Sequence, residues 1–195
     1  MVMNPGITTV ESYSDRQVMA FPEFRGPLVS VLLAAGQGDL VSGTVLGKIT
    51  ASGKYARVRR TTLSADEAAG QTVLSVVDAS IFKVGQTVSI KEADGTELEN
   101  LGAITAIDLT PGANTITVTN ALVAAKSAGA WVFVNDGSEV AKLILAEEVP
   151  DQATDVNVQA YIGGQFYTNL LVGMDALARA DLGARVVENL TIVPA

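Results

Sequence analysis

The chain has 195 residues, 48% of them hydrophobic, 17% charged and 5% aromatic, with a formal net charge of -8. Apolar content this high with so few charges excludes a disordered linker, and the acidic balance argues against broad binding to nucleic acid or anionic membranes through counterion release. With no Cys and no His, disulfides, thiol nucleophiles, His-based triads and the usual zinc sites are excluded as well.

This length accommodates one domain or two small ones. The charge is unevenly spread. Residues 1–60 hold seven basic and four acidic side chains, residues 61–137 three and nine, and residues 138–195 three and eight. An acidic body therefore carries a mildly basic N-terminal third. The first residues lack the basic start, apolar core and small-residue cleavage site of a signal peptide. The longest nearly apolar run, 28–35, falls well short of the roughly 20 residues that span a bilayer. Synthesis in a cytoplasm is the expectation.

Residues 1–25 show no sustained period. Asn4-Pro5-Gly6, a polar stretch over 11–17 and Phe21-Pro22 read as an extended arm, and residues 1–40 are taken together as arm and lead-in. Next, Thr44-Val45-Leu46-Gly47-Lys48-Ile49 and the run 54–60 flank Ala51-Ser52-Gly53, which predicts a hairpin with Gly53 at the position needing positive φ. The hairpin carries the basic cluster Lys54, Arg57, Arg59 and Arg60. It reads either as a surface facing an acidic partner or as an exposed strand whose charges discourage edge pairing.

Residues 63–134 look like a unit of their own. Leu74 and Val76, Val88 and Ile90, Ile116 and Val118, and Trp131 and Phe133 sit in alternating contexts separated by Gly85, Asp94-Gly95, Pro111-Gly112 and Gly129. That spacing predicts a small barrel or sandwich, with Trp131 and Phe133 in its core. Ser64 to Gly70 offers one helical turn with a capping box. After residue 137 come a strand over 140–145, an alternating strand from Val156 to Ile162 and a turn at Gly163-Gly164. A short helix then runs from Gly173 to Gly183, with Met174, Leu177, Ala178 and Leu182 at helical spacing, before a last strand over 185–193.

Chemistry is sparse. Gly43-Thr44-Val45-Leu46-Gly47-Lys48-Ile49 is one residue too short between its glycines for a phosphate loop and has Ile in place of Ser or Thr. Gly36-Gln37-Gly38 lacks the third glycine of the dinucleotide fingerprint. The carboxylate pairs Asp66 and Glu67, Glu97 and Glu99, and Glu147 and Glu148 give glycoside hydrolysis the lowest weight. Asp94, Glu97 and Glu99 lack the spacing of a calcium loop. No enzyme activity, cofactor or metal is expected.

The segment 41–50, Val-Ser-Gly-Thr-Val-Leu-Gly-Lys-Ile-Thr, continuing into Ser52-Gly53-Lys54-Tyr55, resembles the opening of the head decoration (cement) proteins of tailed bacteriophages. Gly137 to Leu145, the alternating 155–161, Gly164-Gln165-Phe166-Tyr167 and the closing 177–193 follow in that family's order. The resemblance covers 41–60 and 136–195. It implies a mainly β protein with a small β-barrel or β-tulip-like core (41–62 plus 136–195), one short helix, an extended arm and an inserted small β-barrel or sandwich (63–135). It also implies a homotrimer on the outer surface of an expanded phage head, with the major capsid protein as partner and neither nucleic acid nor membrane bound. Pro5, Ile7, Val10, Tyr13, Val18 and Phe21 would then be capsid-binding anchors of the arm. A tail, baseplate or spike component, or a carbohydrate-binding module, is the alternative for the same β-rich body.

Overall fold

A computed structural model describes residues 27–189. In chain order its strands are β1 (Leu28–Leu33), β2 (Val45–Lys48), β3 (Tyr55–Arg57), β4 (Arg60–Thr62) and β5 (Val73–Ser75). These are followed by β6 (Thr87–Lys91), β7 (Glu99–Asp108), β8 (Thr115–Val118) and β9 (Trp131–Val134). After them come β10 (Ala141–Leu145), β11 (Val156–Tyr161), β12 (Gly164–Tyr167), the helix α1 (Ala176–Leu182) and β13 (Val186–Asn189). The protein is mainly β, as its punctuated Val, Ile and Thr runs predict. No helix among the described residues is long and apolar enough to cross a membrane.

Five strands close a barrel in the order β1-β11-β10-β2-β3. The predicted hairpin forms, β2 pairing with β3 through Leu46↔Arg57 to Lys48↔Tyr55, with Gly53 at φ 71 in the turn. Strand β1 lies antiparallel to β11 over all six residues and meets β3 at Leu33↔Tyr55, where the Ala34 N–H donates to the Tyr55 carbonyl at 2.8 Å. The apolar run beginning at Leu28 is thus a wall of the barrel rather than lead-in to it. Its Leu33, together with Leu40, enters the interior cluster of Leu46, Leu143, Leu145, Val149, Val158 and Ala160.

The faces of β2 and β10 explain why neither alternates cleanly in sequence. Leu46, Leu143 and Leu145 point into the barrel, while Val45, Ala141 and Ile144 pack outward against Phe166, Ala178 and Leu182 from β12 and α1. Strands buried on both faces read as continuous apolar runs. The interrupting Lys142 is exposed and falls where the register with β2 shifts between Ala141 and Leu143. Helix α1 starts at Asp175, whose Oδ1 accepts the Ala178 N–H at 2.8 Å, and stops at Gly183.

Residues 60–134 form a six-stranded sheet ordered β4-β9-β6-β7-β8-β5. Its two edges meet where Leu63 bridges Val76, the Ser64 N–H donates to the Ser75 carbonyl and the Val77 N–H to the Thr62 carbonyl. Its core, from Leu63 and Leu74 through Ile90, Leu101 and Ile116 to Val134, shares no residue with the two clusters of the barrel unit. Two sequence expectations fail here. Val132 and Val134, not Trp131 and Phe133, point into that core: the strand alternates as expected, but the aromatics take the other face. The 64–70 segment forms no helix. Glu67 is instead drawn into a bridge with Lys126 and accepts the Ser75 N–H at 2.7 Å.

Gly47, part of the glycine-spaced motif, is fixed by close approach. A Cβ there would lie 1.9 Å from the Ser138 carbonyl oxygen and 2.8 Å from that of Val140. Backbone cannot yield as a side chain does, so Gly47→Ala is expected to cost about 3 kcal/mol. The readout is the shift of the urea midpoint at unchanged slope.

Candidate functional site

The arm positions Pro5, Ile7, Val10, Tyr13, Val18 and Phe21 lie outside the described residues. The basic cluster is described, and the structure takes it apart. Lys54 pairs on the surface with Asp155 at 2.5 Å, and its hydrogen bond holds the Asp155 carboxyl below the usual range; exposed pairs of this kind add little stability. Arg57 is half-buried, whereas Arg59 and the Arg60 side chain are buried. The expectation of one exposed group of four is therefore corrected, since Arg59 and the Arg60 side chain are buried. The two-residue period puts Arg57 and Arg59 on one face, but the turn from β3 into β4 carries that face beneath neighbouring loops.

Arg60 anchors the inserted sheet to the barrel unit. Its Nε and Nη2 donate to both oxygens of Asp175 at 2.5 and 2.6 Å, and its Nη1 donates to the Glu139 carbonyl at 2.8 Å and faces Asp181 at 3.5 Å. The guanidinium also stands 6.0 Å from the centroid of the Trp131 ring. Asp175 caps α1, and Asp181 accepts the Ala141 N–H at 3.0 Å. One side chain on β4 thus ties the start of α1, the entry to β10 and the face of β9 together.

Arg59 has a different environment. Its Nη2 donates to the Gln37 carbonyl at 3.1 Å, while its buried Nε has no partner among the described residues. Burial, with the charge of Arg57 adding to it, lowers its pKa to about 10. Gln37 is itself buried, accepting the Arg57 backbone N–H on Oε1 at 3.2 Å and donating from Nε2 to the Ala35 carbonyl at 3.3 Å. Lys83, from the inserted sheet, donates to the Gly36 carbonyl at 2.7 Å. Gln37 and Lys83 were not singled out by sequence reasoning. The available signal was Gly36-Gln37-Gly38, whose glycines sit at φ 68 and 78 and let the loop fold over the arginines.

The carboxylate pairs serve the fold. Asp66 accepts the Ala128 N–H at 2.8 Å and Glu147 the Gln159 N–H at 2.6 Å. Glu97 and Glu99 do converge, but on the buried ammonium of Lys126, at 2.9 and 4.0 Å. A cation already stands between them, and no group of three potential metal ligands occurs among the described residues. Millimolar calcium is accordingly expected to shift the melting temperature no more than magnesium does; a selective rise would expose a site that this geometry opposes. The Gly43–Lys48 motif enters strand β2 and opens no helix, so it lacks the strand–loop–helix context of a phosphate cradle.

The aromatic rings are also engaged within the chain. The Lys91 ammonium lies 5.4 Å from the Phe133 ring centroid, beside the Arg60–Trp131 stack. Compared with known proteins, the chain matches no family model, no curated protein and no solved structure.

Proposed function

We propose that this chain is a structural decoration protein that binds the outside of an expanded phage head as a homotrimer and stabilises it. The observation that carries the reading is the pairing of the two sequence segments that resemble the cement family. Strand β2 from the first pairs with β10 from the second, and β10 with β11, inside one closed barrel, although the inserted sheet lies between the two segments in sequence. The acidic residues Glu67, Asp66 and Glu147 are held by backbone N–H groups, and Glu97 by Lys126.

The mechanism is linkage. A protein that binds the assembled lattice better than its loosened form stabilises the shell by its binding free energy. Three copies joined in a ring multiply weak contacts through effective concentration, and the N-terminal segment would add contacts by strand addition, in which main-chain hydrogen bonds supply affinity with little demand on sequence. Deleting residues 1–20, which precede every strand of the barrel, is expected to leave the circular dichroism spectrum β-rich and to weaken co-sedimentation with heads at least tenfold, or about 1.4 kcal/mol. Unchanged binding would refute the role given to Pro5, Ile7, Val10, Tyr13 and Val18. The carbohydrate-binding alternative is less well supported, because the Trp131 and Phe133 rings that would stack on a sugar already carry Arg60 and Lys91.

A further inference from the structure

We infer that Arg57 and Arg59, with Lys83 beside them, form a receiving site for a carboxylate group at the seam between the barrel and the inserted sheet. Arg59 is 5% exposed, yet neither it nor Arg57 has a carboxylate within ion-pair distance among the described residues. Buried charges are ordinarily paired and fully hydrogen-bonded, because taking an unpaired ion out of water is costly. The contrast is with the very next residue, Arg60, which is held by both oxygens of Asp175. Arg59 instead keeps a buried Nε without an acceptor among the described residues.

Two neutral oxygens of Gln37 sit at this position, its carbonyl on the Arg59 guanidinium and its Oε1 on the Arg57 N–H. They satisfy some donors and compensate no charge. The half-buried guanidinium of Arg57 offers the planar fork that carboxylates match in two parallel hydrogen bonds. Arg59 is tied to the loop flanked by Gly36 and Gly38 through the Gln37 carbonyl. Lys83 holds that loop through the Gly36 carbonyl and is exposed.

Local charge selects the ligand. Asp78 acts on Arg57, and Asp136 and Asp151 act on Arg59, from beyond contact distance. These three acids oppose a doubly charged phosphate while tolerating one carboxylate. The source is either an acidic side chain or a chain terminus, and the shared chemistry is one carboxylate group. This inference does not depend on the capsid reading, because a small carboxylate tests it without any capsid.

The experiment uses the full chain labelled with nitrogen-15, following the arginine Nε–H signals. Arg57→Gln and Arg59→Met provide the assignments. Acetate, N-acetylaspartate amide as side-chain mimic, N-acetylglycine as terminus mimic, and inorganic phosphate are titrated against chloride at matched ionic strength. The Arg57 and Arg59 signals should shift saturably with the carboxylates, and Arg57→Gln should weaken the response about tenfold; the stronger of the two mimics identifies the source. Shifts no different from chloride, or tighter binding of phosphate, would overturn the assignment. Arg59→Met should melt at or above the parent temperature, because a buried charge without a carboxylate is replaced by an apolar chain. A fall as large as that of Arg60→Met would make Arg59 a structural anchor and overturn the inference.

Discussion

Arg60→Met is expected to lower the unfolding free energy by about 3 kcal/mol, the low end for breaking a buried ion pair. The low end applies because Asp175 and Asp181 are 25% and 26% exposed and can recruit water once the guanidinium is gone, whereas the Arg60 side chain itself is 4% exposed. The loss extends beyond the ion pair. The Glu139 carbonyl loses a donor and the Trp131 ring loses its cation. Asp175→Asn, which keeps an N-cap acceptor for the Ala178 N–H, should cost less. Urea unfolding of both variants provides the measurement, and a loss below about 1 kcal/mol for Arg60→Met would show that the clamp contributes no more than a surface pair.

Removing residues 63–135 and joining Thr62 to Asp136 through a short Gly-Ser bridge is expected to leave a soluble, cooperatively melting barrel. The two cut points flank the β4–β9 pair: Thr62 lies opposite Trp131, five residues before Asp136, so at about 3.3 Å per strand residue the bridge has to span roughly 16 Å. None of the fifteen buried residues in the inserted core belongs to either barrel cluster. The contacts that cross include the β4–β9 ladder, the Val77 N–H on the Thr62 carbonyl, the Val134 N–H on the Arg59 carbonyl, Lys83 on Gly36 and the Arg60 stack on Trp131, mostly backbone hydrogen bonds. The bridged chain should therefore melt somewhat lower but in one transition. Aggregation on expression would mean that the inserted sheet is part of a single core and that the two-part division is mistaken.

Much of this fold was legible because burial is one-sided where alternation is clean. Val158 and Ala160 on β11 face the barrel, while Asn157 and Gln159 are exposed. The cap and stop of α1 at Asp175 and Gly183 were visible as residue types. What escaped notice departs from a simple period. Strand β7, the longest, buries Leu101 and Ile104 three residues apart, carries Gly102 at φ 72 and shifts register before Ala106. A bulge of this kind breaks alternation and hides the strand. The aromatics Trp131 and Phe133 drew attention by size, yet Val132 and Val134 between and after them fill the core.

The site was less legible than the fold. Four neighbouring cations in sequence suggested one exposed surface, but three outcomes follow from three environments. Lys54 meets Asp155 in solvent, Arg60 meets Asp175 in the interior, and Arg59 meets a neutral carbonyl of Gln37. The partners are 101, 115 and 22 positions away, separations that residue type and period do not encode. Glu97 and Glu99 teach the same lesson, since the Lys126 that neutralises them arrives from a loop some thirty residues later.

The proposal that this chain decorates a capsid is tested most directly by mixing the purified full chain with expanded, undecorated heads of a tailed phage and measuring the bound mass after sedimentation. The account predicts saturable binding at a stoichiometry that is a multiple of three, together with heads that withstand a higher temperature before releasing their contents. No co-sedimentation at micromolar protein, with light scattering showing a strictly monomeric chain, would contradict it.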